Sequence, residues 1–541
     1  CSKGTNLGQT LSRDDRLLHP EIGGRQASWD DALDLVASRF REAIDEHGPD
    51  SVAFYVSGQL LTEDYYVANK LMKGFIGSGN IDTNSRLCMA SSVAGHKRAF
   101  GTDTVPGLYE DLEQADLVVM VGSNLAWCHP VLYQRLQAAR KERGTRVVVV
   151  DPRRTATAET ADMHLALRPG SDVALFNGLL AWLAQTGGFD GTFIADHTAG
   201  VTAALRTAET ADPEWVATRC GLTLDQVLAF YKMFVRTERT VTVYSQGVNQ
   251  SSAGTDKVNA IINCHLATGR IGRPGMGPFS VTGQPNAMGG RETGGLANQL
   301  ACHLELDDLS HRDLVQGFWA SPVIAGAAGL KAVDMFDAVA DGRIKALWIM
   351  ATNPAVSLPD ADRVRDAIRQ CPFVAVSDVT RATDTAALAH VLLPAQAWGE
   401  KEGTVTNSER RISRQRAFLP IPEDVRADWW MISQVADRLG HGDAFDYAGP
   451  ADIFREYAAL TVRANAALAR DLDLGAMAAI DDGAYDALPP TLWPQRAEGA
   501  SEDRFFADGG FFTSDGRGRF IAVTDRAPAT ATDIPYPLGT P

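Results

Sequence analysis

Short runs of apolar residues recur along the chain, each followed by a small polar loop and then by a helical pattern. The runs are residues 51–56, 117–121, 146–150, 241–244, 346–350 and 373–376. Continuous Val, Ile and Leu runs of this length are typical of strands covered on both faces, so the pattern predicts parallel sheets with flanking helices. Ligands of such sheets bind beyond the carboxyl ends of the strands. This sequence repeatedly places Gly, Asn, Asp, Gln and Arg there.

Two segments look like copies of one another. Residues 116–169 contain a strand, a Gly-Ser-Asn loop, a helix and a second strand that ends at Asp151. Residues 345–394 contain a strand, an Ala-Thr-Asn loop, a helix over 360–369 and a second strand that ends at Asp378. An Asp after the second strand of such a unit commonly binds a nucleotide. The repeat therefore predicts two nucleotide-like ligands related by a pseudo-twofold axis, although two βαβ units also resemble each other by chance.

Common short motifs are absent. The sequence contains no GxxxxGK[ST], no HExxH and no GxGxxG after a strand. Residues 272–290 are rich in glycine and interrupted by prolines, which predicts a long shaped loop. A long loop inside a compact domain is more often functional than idle.

Composition narrows the class of protein. The chain has 541 residues, with 51 Lys and Arg against 67 Asp and Glu, and its formal net charge is −16. That acidic balance argues against a nucleic-acid partner or an anionic membrane surface. No apolar run approaches the roughly 18 residues that a membrane span needs. The seven cysteines are scattered without a CxxC pair, so neither a disulfide framework nor a self-contained zinc site is indicated.

One cysteine stands in a distinctive setting. Residues 84–92, which include Cys88, lead into a helix predicted over 91–100. A thiol at a helix N-terminus has its thiolate form favoured, which makes it a nucleophile or a soft-metal ligand. A buried, inert cysteine is the alternative reading of the same residue.

Residues 80–93 resemble the molybdenum-ligand loop of the nitrate reductases in the DMSO-reductase superfamily. Those enzymes bind a bis-molybdopterin guanine dinucleotide (Mo-bisMGD). The resemblance covers essentially the whole chain, and the matching segments follow the family's order. They are residues 1–4, 122–130, 151–155, 170–172, 246–250, 283–292, 353, 377–378, 400–403 and 428.

The resemblance implies a role for individual residues. Cys88 would be the protein thiolate on molybdenum, next to Met89, and Arg291 would orient an anionic substrate. Cys1 would be the last ligand of one 4Fe–4S cluster, with Lys3 on the electron path from cluster to pterin. The implied cofactor-binding residues are Gln59, Asn84, Gly122, Ser123, Asn124, Asp151, Arg154, Thr155, Gly170, Asp172, Gln246, Gln250, Asn353, Ser377, Asp378, Lys401 and Asp428.

Two of these assignments have structural alternatives. Lys401 stands between Glu400 and Glu402 and could belong to a solvated charge run. Arg291 and Glu292 could form a structural pair.

The implied reaction is the reduction of nitrate to nitrite by oxygen-atom transfer. No ordinary side chain accepts that oxygen, whereas molybdenum cycling between its +4 and +6 states does, and the 4Fe–4S cluster would deliver electrons singly. The implied partners are nitrate and an electron donor such as a ferredoxin, a flavodoxin or an NAD(P)H-linked flavoprotein. Residues 127–130 resemble the assimilatory branch, which implies a cytoplasmic location.

Two other functions remain open. Formate dehydrogenases of the same fold generally place His directly after the metal-ligating residue, but here Met89 follows Cys88 and the nearest downstream histidine is His96. A non-catalytic iron–sulfur scaffold subunit generally lacks the Cys88 equivalent and the Arg291 loop.

For architecture we expect an α/β chain with two doubly wound, pseudo-symmetric dinucleotide-binding domains, one inserted in the other. Remnants of an N-terminal Fe–S domain and the start of a C-terminal β-barrel-like domain would flank them, so we expect a fragment shortened at both ends. The predicted divisions are 1–48 with 395–430 near the cluster, 49–85 with 276–394 as the first MGD-binding domain, 86–275 as the second, 431–505 as a helical connection and 506–541 as the start of the truncated C-terminal domain.

Overall fold

The computed structural model describes residues 2–12, 14–468, 470–499 and 504–527. The chain divides into two compact units. Unit 1 consists of residues 1–5, 88–283 and 502–541, and unit 2 consists of residues 6–87 and 284–501. The chain passes from unit 2 into unit 1 within the helix Ser85–Phe100. The finer division into five domains stays a prediction.

Unit 1 is built on a five-stranded parallel sheet. The strands lie in the order Gly277–Ser280, Thr240–Tyr244, Leu117–Val121, Arg146–Val150 and Met163–Leu165. Each neighbouring pair in this order is parallel. The three central strands are almost wholly buried, which is why their sequences are continuous apolar runs rather than alternating ones.

Helices and one small sheet complete unit 1. Its helices are Ser2–Thr5, Asp111–Gln114, Leu125–Cys128, Pro130–Arg143, Ala156–Glu159, Asp172–Gln185, Gly191–His197, Val201–Ala208, Pro213–Cys220, Leu224–Arg236, Gln246–Asn249 and Gly254–Ala267. Two short parallel strands, Thr198–Ala199 and Gly518–Arg519, pair with one another.

Unit 2 contains a seven-stranded sheet. Its order is Arg25–Gln26, Glu21–Ile22, Val391–Pro394, Phe373–Asp378, Ala346–Met350, Val52–Val56 and Ile81–Thr83. The last five strands are parallel, and the first two form an antiparallel hairpin at one edge. One apolar core lies where this sheet packs against the helices Ala332–Ala340 and Ala361–Gln370.

The remaining elements of unit 2 surround that sheet. A three-stranded antiparallel sheet consists of Gly403–Thr406, Arg411–Gln415 and Thr491–Leu492. The helices are Leu7–Leu11, Trp29–His47, Pro49–Ser51, Thr62–Asn69, Lys70–Ile76, Ala287–Glu292, Leu309–Trp319, Ala332–Ala340, Pro354–Ser357, Ala361–Gln370, Ala386–Leu388, Asp428–Ala436, Asp437–His441, Gly442–Ala444, Pro450–Leu468, Gly475–Met477 and Asp482–Asp486. Among the helices of the described residues, none is both long and apolar enough to cross a membrane.

The two predicted copies fold alike. Residues 117–165 place three consecutive strands side by side in parallel, and residues 346–394 do the same in the other unit. The predicted α/β class with parallel sheets is confirmed.

Two local predictions are wrong. The helix predicted from residue 91 begins at Ser85, so Cys88 lies inside its first turn rather than before it. The predicted loop over 272–290 contains the strand Gly277–Ser280 and the helix Ala287–Glu292.

Tertiary packing accounts for both elements of the 272–290 segment. The strand Gly277–Ser280 lies at a sheet edge, where Pro278 needs no N–H for a second neighbour. In the helix Ala287–Glu292, a Cβ on Gly290 would lie 2.6 Å from the ring of Tyr65. Glycine at this position permits the close approach of the helix to Tyr65. Because glycine has a low helix propensity, the sequence does not indicate a helix here.

Candidate active site

Cys88 is the fourth residue of the helix Ser85–Phe100 and is partly exposed. Its Sγ accepts a hydrogen bond from Nε2 of Gln246 over 3.2 Å. Gln246 follows the carboxyl end of the strand Thr240–Tyr244, so the thiol lies at the sheet edge where ligands of parallel sheets bind. The thiol therefore combines a first-turn position in a helix with a hydrogen bond from an amide donor.

Other cysteines in the described part of the chain have different surroundings. Burial raises the pKa of the Cys220 and Cys371 thiols to about 11. Burial also raises the pKa of Cys264 and Cys302, and these four side chains are therefore inert core thiols.

The loops after the central strands of unit 1 touch through glycine backbone. The Gly247 N–H donates to the carbonyl oxygen of Gly122 over 3.0 Å. A Cβ on Gly122 would lie 2.6 Å from Gly247 Cα, and Gly122 has a φ of 54°. Larger side chains are therefore excluded from both positions. Next to this contact, Ser123 Oγ is buried without a hydrogen-bond partner among the described residues.

Asn124 and Thr157 join two neighbouring loops of the same edge. Thr157 Oγ1 donates to Asn124 Oδ1 over 2.8 Å. Asp151 Oδ1 accepts the backbone N–H of Arg153 over 2.9 Å, and burial raises the pKa of the Asp151 carboxyl. Thr155 caps the helix Ala156–Glu159 by accepting a backbone N–H.

The remaining cofactor-binding candidates of unit 1 differ in exposure. Arg154 and Gln250 are exposed, and Gly170 is half-buried. Asp172 is buried and ion-paired with Lys257 over 2.8 Å. Its carboxylate thus already has a cationic partner within the protein.

Asn84 follows the strand Ile81–Thr83 and binds Gln284 and the loops after the strands Val52–Val56 and Ala346–Met350 of unit 2. Its Oδ1 accepts the Gly58 N–H over 3.1 Å and Nε2 of Gln284 over 2.7 Å. Its Nδ2 donates to Thr352 Oγ1 over 3.2 Å. Gln59, in the first of these loops, is exposed. Asn84 therefore holds the loops at the carboxyl edge of the sheet together. A contact between Asn84 and a ligand would come in addition to this structural role.

A second Asn–Thr contact lies at the same edge of unit 2. Thr385 Oγ1 donates to Asn353 Oδ1 over 2.7 Å. Ser377 is buried, and its Oγ accepts Nε1 of Trp348 over 3.3 Å. Asp378 Oδ1 accepts the N–H groups of the two following residues, and burial raises the pKa of its carboxyl.

Lys401 is buried between carboxylates rather than solvated, so the charge-run alternative is wrong. Its Nζ binds Asp428 Oδ2 and lies 3.8 Å from Asp64 Oδ2. Burial alone would lower the pKa of Lys401, but the two carboxylates outweigh burial and raise it. Burial raises the pKa of Asp64. Asp428 Oδ1 is buried without a hydrogen-bond partner among the described residues.

Arg291 lies in the helix Ala287–Glu292 and is 2% exposed. The neighbouring Glu292 accepts hydrogen bonds from Trp493 Nε1 over 2.7 Å and from Thr406 Oγ1 over 2.8 Å. Burial raises the pKa of Glu292, while His303, these two hydrogen bonds and Arg291 act in the opposite direction.

The N-terminal candidates cannot be placed. Cys1 lies outside the described residues. Lys3 belongs to the short helix Ser2–Thr5, in a part of the chain where only the backbone is described. The two residues therefore stay predictions.

Sequence reasoning missed two residues that the structure places beside the candidates. Asp64 contacts Lys401, although more than 300 residues separate them in the chain. Lys73 is fully buried and donates to the carbonyl oxygens of Gly294, Leu296 and Gln299, in the loop that follows Arg291. No local sequence signal marks either residue, because both contacts come from tertiary packing.

Comparison with known proteins decides the family. The sequence profile described as molybdopterin oxidoreductase matches residues 16–438. The chain belongs to the molybdopterin oxidoreductase family. Membership implies an oxidoreductase with a molybdenum–pterin cofactor.

Relatives and a solved structure agree with that membership. A nitrate reductase from Klebsiella oxytoca is 53% identical over 539 residues, covering 99% of this chain and 61% of its own length. The F420-dependent formate dehydrogenase subunit alpha of Methanocaldococcus jannaschii is 32% identical, covering 99% of this chain and 77% of its own. Acetylene hydratase from Pelobacter acetylenicus shares the fold, with a TM-score of 0.75 at 18% identity over 96% of this chain and 72% of its own. The chain thus spans about three fifths of the Klebsiella protein.

The residues present fit a molybdenum–pterin cofactor. A pterin ring carries both N–H donors and ring acceptors. Asp428 Oδ1 is a buried acceptor without a partner among the described residues, and Ser123 Oγ is a buried group of the same kind. Where the 122 and 247 loops meet, the two glycine backbones touch and leave no space for a side chain.

Proposed function

We propose that this chain carries the molybdenum site of a nitrate reductase, with Cys88 as the protein ligand of a Mo-bisMGD cofactor. The observation that carries the proposal is the position of Cys88: a part-exposed thiol in a helix first turn, at the carboxyl edge of a parallel sheet. The 53% identity to a nitrate reductase supports nitrate as the substrate.

In this proposal each unit contributes the loops that hold one dinucleotide. The unit 1 candidates are Gly122, Ser123, Asn124, Asp151, Arg154, Thr155, Gly170, Asp172, Gln246 and Gln250. The unit 2 candidates are Gln59, Asn84, Asn353, Ser377, Asp378, Lys401 and Asp428. When bound, the cofactor supplies the two-electron oxygen-atom chemistry that side chains lack.

Arg291 would bind and orient nitrate. A buried guanidinium presents N–H donors in a fixed planar fork that suits a planar oxyanion. Its burial to 2% exposure also keeps water from competing for those donors. A local positive charge matters here because the whole chain carries a net charge of −16, which repels anions.

Formate oxidation is the second candidate, and the side chains around Cys88 argue against it. Formate must lose a proton to a nearby base. Met89, directly after Cys88, is a thioether with 1% exposure and cannot accept that proton. His96 is fully buried and hydrogen-bonded to Tyr244 over 2.7 Å. These contacts favour nitrate over formate.

The route of electrons is proposed from the resemblance. Cys1 would ligate a 4Fe–4S cluster, and Lys3 would lie between that cluster and a pterin. The donor would be a ferredoxin, a flavodoxin or an NAD(P)H-linked flavoprotein, in an assimilatory role in the cytoplasm. A non-catalytic scaffold subunit would keep iron and lack molybdenum, so metal analysis separates it from the enzyme.

The proposal is tested by turnover in the complete gene product loaded with its cofactor. Nitrate-dependent oxidation of reduced viologen and formate-dependent reduction of viologen are followed in parallel. We expect nitrate turnover and no formate turnover. Formate turnover without nitrate turnover would overturn the substrate, and neither activity from a molybdenum-loaded protein would point to another oxyanion.

A further inference from the structure

Gln246 is directed at the candidate metal ligand. Its Nε2 donates to Cys88 Sγ over 3.2 Å, which is short for a hydrogen bond to sulfur. Gln246 opens the helical turn Gln246–Asn249, directly after the strand Thr240–Tyr244. The resemblance had assigned this residue only to cofactor binding.

The orientation of the amide is set by its neighbour. Ser245 is 2% exposed, and its Oγ donates to Gln246 Oε1. Ser245 Oγ also lies 3.2 Å from the carbonyl oxygen of Val281 on the next segment of the unit. Because the hydroxyl binds the amide oxygen, the NH₂ group of Gln246 faces the sulfur.

The loop that carries Gln246 is fastened to the helix that carries Cys88. Asn249 Oδ1 accepts both the N–H of Ser92 over 3.0 Å and its Oγ over 2.6 Å. Ser91 Oγ donates to the Asn249 carbonyl oxygen over 2.7 Å. Three hydrogen bonds one turn beyond Cys88 therefore hold the loop and the helix in register, and the amide–sulfur contact is part of a built site.

We propose that Gln246 tunes the metal by donating this hydrogen bond to the Cys88 thiolate, in addition to any contact with the cofactor. This inference rests on the proposed function, because it takes Cys88 as the molybdenum ligand. A donor on a ligand sulfur withdraws electron density from it and stabilises the reduced metal, so the reduction potential rises. Ser245 strengthens the effect by polarising the amide.

The test is a redox titration of molybdenum in the loaded, complete gene product, followed by electron paramagnetic resonance. Gln246→Met removes the donor, and Gln246→Glu keeps the shape of the side chain but replaces the donor by a carboxylate. Ser245→Ala leaves the amide and removes its partner. Gln185→Met, at the exposed last position of the helix Asp172–Gln185, is the matched control.

We expect the molybdenum potential to shift downward in both Gln246 variants, less in Ser245→Ala, and not in Gln185→Met. The sulfur-to-metal charge-transfer band should move to lower energy in the same order. Unchanged potentials in both Gln246 variants overturn the inference. Should those variants fail to load metal, an unchanged potential in Ser245→Ala overturns it instead.

Nitrate turnover of the parent protein, measured on the same preparation, separates the two claims. A potential shift in a protein without nitrate turnover supports the role of Gln246 and overturns the substrate. Nitrate turnover without a potential shift overturns the role of Gln246 and leaves the proposed function in place.

Discussion

Thr157 donates a hydrogen bond from Oγ1 to Asn124 Oδ1 over 2.8 Å, and the contact has a counterpart in the other unit. There Thr385 Oγ1 donates to Asn353 Oδ1 over 2.7 Å. In both places the N–H two residues after the Asn donates to the same Thr hydroxyl. The internal repeat of the sequence thus extends to side-chain hydrogen bonds at the carboxyl edges of both sheets.

The two Asn–Thr contacts should contribute equally to stability. We expect a coupling energy of about 1 kcal/mol in a double-mutant cycle of Asn124→Ala with Thr157→Val, and the same value for Asn353→Ala with Thr385→Val. Denaturant unfolding of the variants measures both. Coupling in one unit and none in the other would show that the two contacts share a geometry but not a contribution to stability.

Arg291 should act on nitrate through both its charge and its planar fork. We expect Arg291→Gln to lower kcat/KM for nitrate about a hundredfold, mainly by raising KM, because it loses both properties. Arg291→Lys keeps the charge and should fall between the parent and Arg291→Gln. Steady-state kinetics and melting temperatures are measured together. Equal losses in the two variants, tracking their melting temperatures, would assign Arg291 a structural role.

Lys73 should stabilise the loop that follows Arg291. Lys73→Met leaves three buried carbonyl oxygens without their donor, and we expect the free energy of unfolding to fall by about 3 kcal/mol. Denaturant unfolding at pH 7 measures the loss. Lys331→Met, at an exposed position in the same unit, is the matched control and should change stability by less than about 0.5 kcal/mol.

The pH dependence of the Lys73 contribution has a defined sign. Burial lowers the pKa of Lys73 to about 7 in the folded protein, whereas lysine in an unfolded chain titrates near ~10.4. Between these values the unfolded chain binds more protons, so Lys73 makes the free energy of unfolding rise with pH. The slope between pH 7.5 and 9.5 should therefore be smaller in Lys73→Met, and identical slopes would contradict the assignment.

Lys401 should be essential for the stability of the folded protein because it neutralises the buried carboxylates beside it. In Lys401→Met, Asp428 and Asp64 lose their counter-charge, and we expect a loss of about 3–5 kcal/mol in the free energy of unfolding. Adding Asp428→Asn should recover much of that loss. The loss should also be smaller at pH 5 than at pH 8, because burial raises the pKa of the Asp64 carboxyl to about 6 and this group is then largely protonated. A loss that is the same in single and double variants would contradict the ion-pair account.

Most of the sheet structure was predictable from local patterns. The buried strands Leu117–Val121 and Ala346–Met350 are continuous apolar runs bounded by polar loops, and both have the bounds that the sequence predicted. The repeat was visible because each copy carries Asn and Asp at corresponding strand ends. These signals are local, and burial on both faces makes them strong.

The contacts of the site were not predictable in the same way. Gln246 and Cys88 are 158 residues apart, and the local sequence around neither residue indicates their contact. For Lys401 the sequence left both cofactor binding and a solvated charge run open, and only the fold places Asp64 and Asp428 beside it. Partners of this kind are set by tertiary packing, which single-sequence patterns do not encode.

The central claim is that Cys88 is the protein ligand of the catalytic metal. Nitrate-dependent oxidation of reduced viologen, expressed per bound molybdenum, tests it most directly in the complete gene product with Cys88→Ala. Cys371→Ala removes a buried core thiol and serves as the matched control. We predict at least about a hundredfold lower turnover per molybdenum in Cys88→Ala and parent turnover in Cys371→Ala. Turnover per molybdenum within twofold of the parent in Cys88→Ala would contradict the account.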